Sequence, residues 1–211
     1  MNHPVRSKLS FGAAAIAALF LTAGMAMAQL APKPVPGIVV AVPGAGSDIV
    51  RIRKPPTPEK VKTPVFRTAV QGQTSARQPD WWHAVVEYET SPEWIDELEF
   101  TYYAYLEDIS NKGTPVMFRS TVTYVNVARG RHVSDVFLHP GTIARMGLVK
   151  QVAVVIKAKG AVVATESTAT TANWWDKFSP VDGVLLNRAQ TPFAFIDYDL
   201  YEAIKPATAA R

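Results

Sequence analysis

The stretch ELEFTYYAYLE, residues 97–107, constrains the fold more than any other part of the chain. Leu98, Phe100, Tyr102, Ala104 and Leu106 alternate with Glu97, Glu99, Thr101, Tyr103, Tyr105 and Glu107. Neighbouring side chains of an extended chain point to opposite faces, so this alternation predicts a strand with one buried face and one wet face. Shorter runs of the same kind lie at 83–89, 115–127, 133–138, 149–158, 161–166, 183–187 and 192–199. Turn residues separate them: NKG at 111–113, ARGR at 128–131 and KG at 159–160. PGTIARMG, 140–147, reads as one short helix opened by Pro140 and closed by Gly147, and LYEAI, 200–204, as a terminal helical turn.

Seven to eight short strands within residues 81–211 suit an all-β, immunoglobulin-like β-sandwich, with a closed β-barrel as the alternative. The chain has no cysteine, so the fold rests on its hydrophobic core without disulfides.

The chain before this region divides in two. Residues 1–28 combine Arg6 and Lys8, an apolar run from Leu9, and Ala26-Met27-Ala28 ahead of Gln29, the pattern of a cleaved secretory signal peptide. The apolar run is also long enough for a retained membrane anchor, the second reading of the same residues. Residues 29–80 hold nine of the 16 prolines, and eight Lys/Arg against three acids. Prolines at this density remove backbone donors and exclude helix, so an extended, basic arm is expected. Residues 81–211 carry 12 basic and 15 acidic side chains, so the basic pI of about 9.3 belongs to the arm. Such an arm acts as a solvated linker or docks on anionic envelope polymers and lipids. Nucleic acid is not an expected partner.

Sequence motifs for catalysis are missing. His83, His132 and His139 lack the spacing of a metal site, GAGSD at 44–48 is not a nucleophile elbow, and no phosphate-binding glycine pattern occurs. Asp176, Asp182, Asp197 and Asp199 lack the ligand order of a calcium loop. The reading is a non-enzyme without cofactor, metal or catalytic residue.

Four of the five tryptophans come in pairs, Trp81-Trp82 and Trp174-Trp175. If both pairs are extended, each sends one ring inward and one outward, and the outward ring is either covered by the chain or available to a ligand. Arg129 and Arg131 flank Gly130 at an expected hairpin tip, where rigid sandwiches often carry recognition. Trp174, Trp175, Trp81, Trp82, Arg129 and Arg131 are therefore the candidate partner or ligand contacts.

WWHAVVEYETSPEWIDELEFTYYAYLED, 81–108, with LLNRAQTPFAFIDYDLYEAIKP, 185–206, resembles small secreted verrucomicrobial proteins encoded among type IV pilus-like genes of mucin-degrading gut bacteria. The resemblance implies an immunoglobulin-like domain, similar to one in archaeal filament-associated proteins, and a role in pilus assembly, anchoring or adhesion. It brings no functional residues with it. The chain departs from a fibre-forming pilin, which is processed after glycine and carries a glutamate at its fifth mature position. Here the order is Phe11-Gly12, the first glutamate is Glu59, and prolines from Pro32 onward break any long helix. The expectation is an exported accessory or adhesion protein in the periplasm, outer membrane or cell surface, with pilus-like or envelope proteins as partners. A surface module that binds host glycan or mucin is the alternative.

Overall fold

The computed structural model describes residues 49–65 and 78–206. The signal segment and the arm residues 29–48 and 66–77 lie outside them. Seven strands form one sheet: β1 (Val50–Lys62), β2 (Asp80–Asp108), β3 (Thr114–Leu138), β4 (Val149–Ala158), β5 (Ala161–Ser167), β6 (Pro180–Asp182) and β7 (Leu185–Asn187). A single α-helix among the described residues, α1 (Pro140–Met146), joins β3 to β4. His139 caps it by accepting from the Gly141 N–H at 3.0 Å, and Pro140 sits in its first turn.

Two long antiparallel strands dominate. β2 runs for 29 residues and β3 for 25, and they pair almost throughout. The pairing slips once. Between Thr90↔Gly130 and Trp94↔Ala128, the residues Ser91, Pro92 and Glu93 oppose Arg129 alone. Such a bulge is where a strand accepts a proline, which has no N–H for the ladder, and where it bends sharply. The corner is stitched by side chains: Thr90 Oγ1 donates to the Ala128 carbonyl at 2.6 Å, and the Arg129 Nε–H donates to the Ser91 carbonyl at 2.7 Å. Gly130 at φ +146° supplies a backbone that L-residues rarely adopt.

The corner divides the sheet into two leaves. In the first, β1 pairs with the N-terminal part of β2, and β7 with the C-terminal end of β3. In the second, β4 and β5 extend from the C-terminal part of β2, and β6 runs parallel to residues 117–119 of β3. The leaves share one core. Trp82, Ala84, Val86 and Tyr88 come from the first, and Leu98, Phe100, Tyr102, Ala104 and Leu106 from the second. All five apolar positions read from ELEFTYYAYLE are fully buried. The result is a sandwich-like sheet that stays open rather than a closed barrel, and its two leaves are continuous through β2 and β3.

Several elements differ from the sequence reading. The runs at 83–89 and 97–107 are one strand, and so are those at 115–127 and 133–138, so ARGR continues β3 and is not a turn. Residues 50–62, which the prolines place in the arm, form β1 along β2. Its register shifts between Ile52 and Lys54 and again between Lys54 and Thr57, leaving Pro55 and Pro56 out of the paired positions. An edge strand tolerates proline because one side of its backbone has no partner strand. The run at 192–199 is not a strand, as described below. Around 200–204 a 3₁₀ turn spans Tyr198–Leu200, and Ile204 bridges to Tyr124.

The core holds one polar knot. Tyr102 and Tyr124 both donate to Ser134 Oγ, at 2.7 and 2.9 Å, in full burial. Burial raises both phenol pKa values well above the ordinary range.

Candidate interaction site

The six candidate contacts separate into two groups. Trp81 and Trp82 are extended in β2 and point to opposite faces, as expected. Trp82 enters the shared core, whereas Trp81 lies on the outer face against Phe137 and Phe193. Its ring meets Phe193 edge-on at 5.7 Å, and its Nε1–H donates to Thr63 Oγ1 at 3.0 Å. The chain itself covers the outward ring.

Trp174 and Trp175 are not extended. They open a 3₁₀ turn, Trp174–Lys177, entered through Asn173 in the left-handed region at φ +50°. Turn geometry lets both rings bury against Met117 and Ala153 on the outer face of the second leaf. Trp175 stacks on Tyr103 at 5.7 Å, and the Trp174 Nε1–H donates to Ser167 Oγ at 2.9 Å. Tyr103 and Tyr105, read as wet-face residues, are partly covered by this lid. None of the paired tryptophans presents a free face, and the exposed ring is the unpaired Trp94 beside the corner, 63% accessible. Arg129 and Arg131 are exposed within β3, at the corner rather than on a hairpin tip.

A buried charged cluster, which no motif announces, occupies the outer face of the first leaf. Alternation along β3 turns Asp135 and Phe137 outward, but the segment after β7 folds over them, so Asp135 is fully buried. A carboxylate in such a place needs charge and hydrogen bonds to remain ionised. Arg188 supplies both: its Nε–H and Nη2–H donate to Asp135 Oδ2 at 3.0 and 2.6 Å. Its Nη1–H groups donate to the carbonyls of Phe193 and Ile196 at 2.8 and 2.9 Å. Nη2 also donates to the Tyr201 hydroxyl at 2.5 Å, and the guanidinium lies 3.6 Å from the Tyr201 ring centre. On the other side, His83 Nε2 is 3.0 Å from Asp135 Oδ2, and Nδ1 is 2.9 Å from Glu59 Oε1 on β1. His83 stacks on Phe137 at 4.3 Å, and Phe137 on Phe193 at 4.8 Å. Burial, then the Asp135 charge, raises the Tyr201 phenol.

Beside the cluster lies a cavity of about 390 Å³ between β1 and the covering segment, bordered by Glu59, Val61, His83, Phe193, Asp197 and Tyr201. A histidine between two carboxylates resembles an acid–base relay, but both its nitrogens and all three guanidinium nitrogens are engaged within the chain. Among the described residues no serine or cysteine borders the cavity, and the Thr57 hydroxyl that does is engaged by the Pro55 carbonyl at 3.0 Å. The geometry clamps a segment in place. It also explains why PFAFIDYD does not pair as a strand: Arg188 takes two carbonyls that a ladder would use. Asp182, one of the four aspartates weighed above for calcium, is engaged by Arg119 at 2.7 and 2.8 Å.

A family model matches residues 45–208, most of the chain and every one of the described residues. The chain belongs to that pilus-associated family. A solved crystal structure of a protein from Akkermansia muciniphila, a verrucomicrobe, is similar at 25% identity and a TM-score of 0.68. The similarity covers 75% of this chain and 95% of that one. No curated protein matches. The family begins at residue 45, so its unit includes β1, in accord with the strand's place in the sheet.

Proposed function

We propose that the protein is an exported, non-enzymatic component of a type IV pilus-like or envelope assembly, with an accessory or adhesion role and not that of the fibre-forming subunit. The observation that carries this reading is family membership across residues 45–208. The buried cluster adds support, because its ionic groups are spent on holding the chain's own segment and leave no free nucleophile–base pair. In this reading residues 1–28 direct export and the proline-rich residues 29–48, whose one cation is Lys33, tether the sheet to its partners.

Shearing surface fibres from cells and probing both fractions with an antibody to this protein tests the proposal. Co-purification with the fibre or envelope fraction, with a mature N-terminus at Gln29, is the expected result. Recovery solely from the cytoplasm, with Met1 retained, contradicts it. The glycan-binding alternative loses the paired tryptophans as stacking platforms, since all four rings are covered.

A further inference from the structure

The segment that Arg188 clamps carries the two most exposed large apolar side chains among the described residues, with a third close by. Phe195 is 79% accessible, Tyr198 70% and Leu200 64%, all within six residues. Large apolar groups scattered singly on a surface are ordinary, but three in so short a segment mark a contact surface. The backbone beneath them is fixed. Arg188 holds the carbonyls on both sides of Phe195, those of Phe193 and Ile196, and Tyr201 stacks on the same guanidinium at the far end. Asp197 between them sits at φ +51°, a conformation that costs free energy for a side chain with a Cβ and persists where surroundings impose it. A buried ion pair contributes little net stability compared with apolar packing but specifies one conformation. Here it specifies the shape of a loop that offers apolar groups to solvent. Ordering the loop in advance lowers the entropic cost of binding.

The charges say what it fits. Between residues 189 and 204 there is no Lys or Arg, while Asp197 and Asp199 interleave with the exposed apolar side chains. Glu202, the third acid, is engaged by His132 at 2.8 Å. We propose that residues 193–201 are a pre-ordered docking loop for a protein partner whose apolar surface is rimmed by Lys or Arg. The two aspartates disfavour an anionic bilayer, which repels them. The inference deepens the assembly reading, since it locates the contact that such a component needs.

The test uses the full-length chain in its native cells, with photoreactive benzoylphenylalanine in place of Phe195, Tyr198 or, as a control, exposed Lys159 in the β4–β5 turn. Illumination is expected to join positions 195 and 198, but not 159, to one discrete protein, through a peptide containing apolar residues and Lys or Arg. Reversing charge with D197K and D199K together is expected to lower that yield by about tenfold or more, the effect of placing like charges across an interface. Circular dichroism of the same variants checks that they fold. No adduct at 195 or 198, an adduct to lipid or glycan alone, or a protein adduct insensitive to the double reversal overturns the proposal. A discrete partner at 195 that is no pilus or envelope component contradicts the assembly reading and leaves the docking loop standing. Pilus-like adducts formed only at 159 do the reverse.

Discussion

Asp135 on β3 and Arg188 after β7 form a buried ion pair, the Nη2–H and Nε–H both donating to Oδ2 at 2.6 and 3.0 Å, that fastens the C-terminal segment across the outer face of the sheet. The pair is buried on both sides, so its members depend on each other. Removing one leaves the other as an uncompensated charge, at a cost of about 3–5 kcal/mol. Asp135→Leu and Arg188→Met should each lower stability by that order, whereas the double variant Asp135→Leu/Arg188→Met should be less destabilised than the sum of the two. Urea unfolding of the four proteins measures the coupling. Additive losses would show that the pair is not the clamp.

Trp94 is the one exposed indole of five. Acrylamide should quench wild-type tryptophan emission in two classes. Trp94→Phe should remove the accessible, red-shifted class with a stability change within about 0.5 kcal/mol, the usual range for a surface site. Trp174→Ala, by contrast, should cost about 3–5 kcal/mol because it opens a cavity under the lid. Preserved stability in Trp174→Ala would return that residue to the surface and reopen its part in ligand binding.

At the corner of the sheet, Gly130 stands at φ +146°, and a Cβ placed there would meet nothing closer than His132 Nε2 at 4.0 Å. Any loss in Gly130→Ala is therefore conformational rather than steric. We expect roughly 1–2 kcal/mol from thermal unfolding, the scale of a residue held in a disfavoured region. An unchanged melting temperature would mean that the corner does not need a glycine.

The tyrosine knot sets an alkaline limit. Tyr102 and Tyr124 have folded-state pKa values raised above their ordinary 10.0, primarily by burial and then by Tyr124 for the first and Asp135 for the second. For an acid whose folded pKa is raised, stability is fully present below the unfolded value and falls as pH rises above it. Absorbance at 295 nm should report the exposed tyrosines ionising first, with these two following only as the fold opens above pH 10. Ionisation of all tyrosines in a single step with the circular dichroism unchanged would contradict the buried knot.

Much of this architecture was legible in the sequence. The alternation of Leu98 to Leu106 places the inner face of β2, and KG at 159–160 places the β4–β5 turn, since both depend on local geometry alone. β1 was hidden because prolines argue against pairing, while Glu59, Lys60 and Val61 find their partners in His83, Trp82 and Trp81 some 20 residues away. The clamp was hidden for a deeper reason. Asp135 and Arg188 are 53 positions apart, and nothing in either local sequence marks an outward-facing residue of β3 as buried. That burial arises from the covering segment, whose alternating apolar residues imitate a strand until Arg188 captures its carbonyls.

Lysine crosslinking in intact cells, followed by mass spectrometry of the joined products, tests association with a pilus-like or envelope assembly. Recovery of pilus-like or secretin components joined to this protein is the predicted result. Recovery of glycoconjugates or host mucin, with no envelope protein among the products, would contradict the claim and favour the binding-module reading.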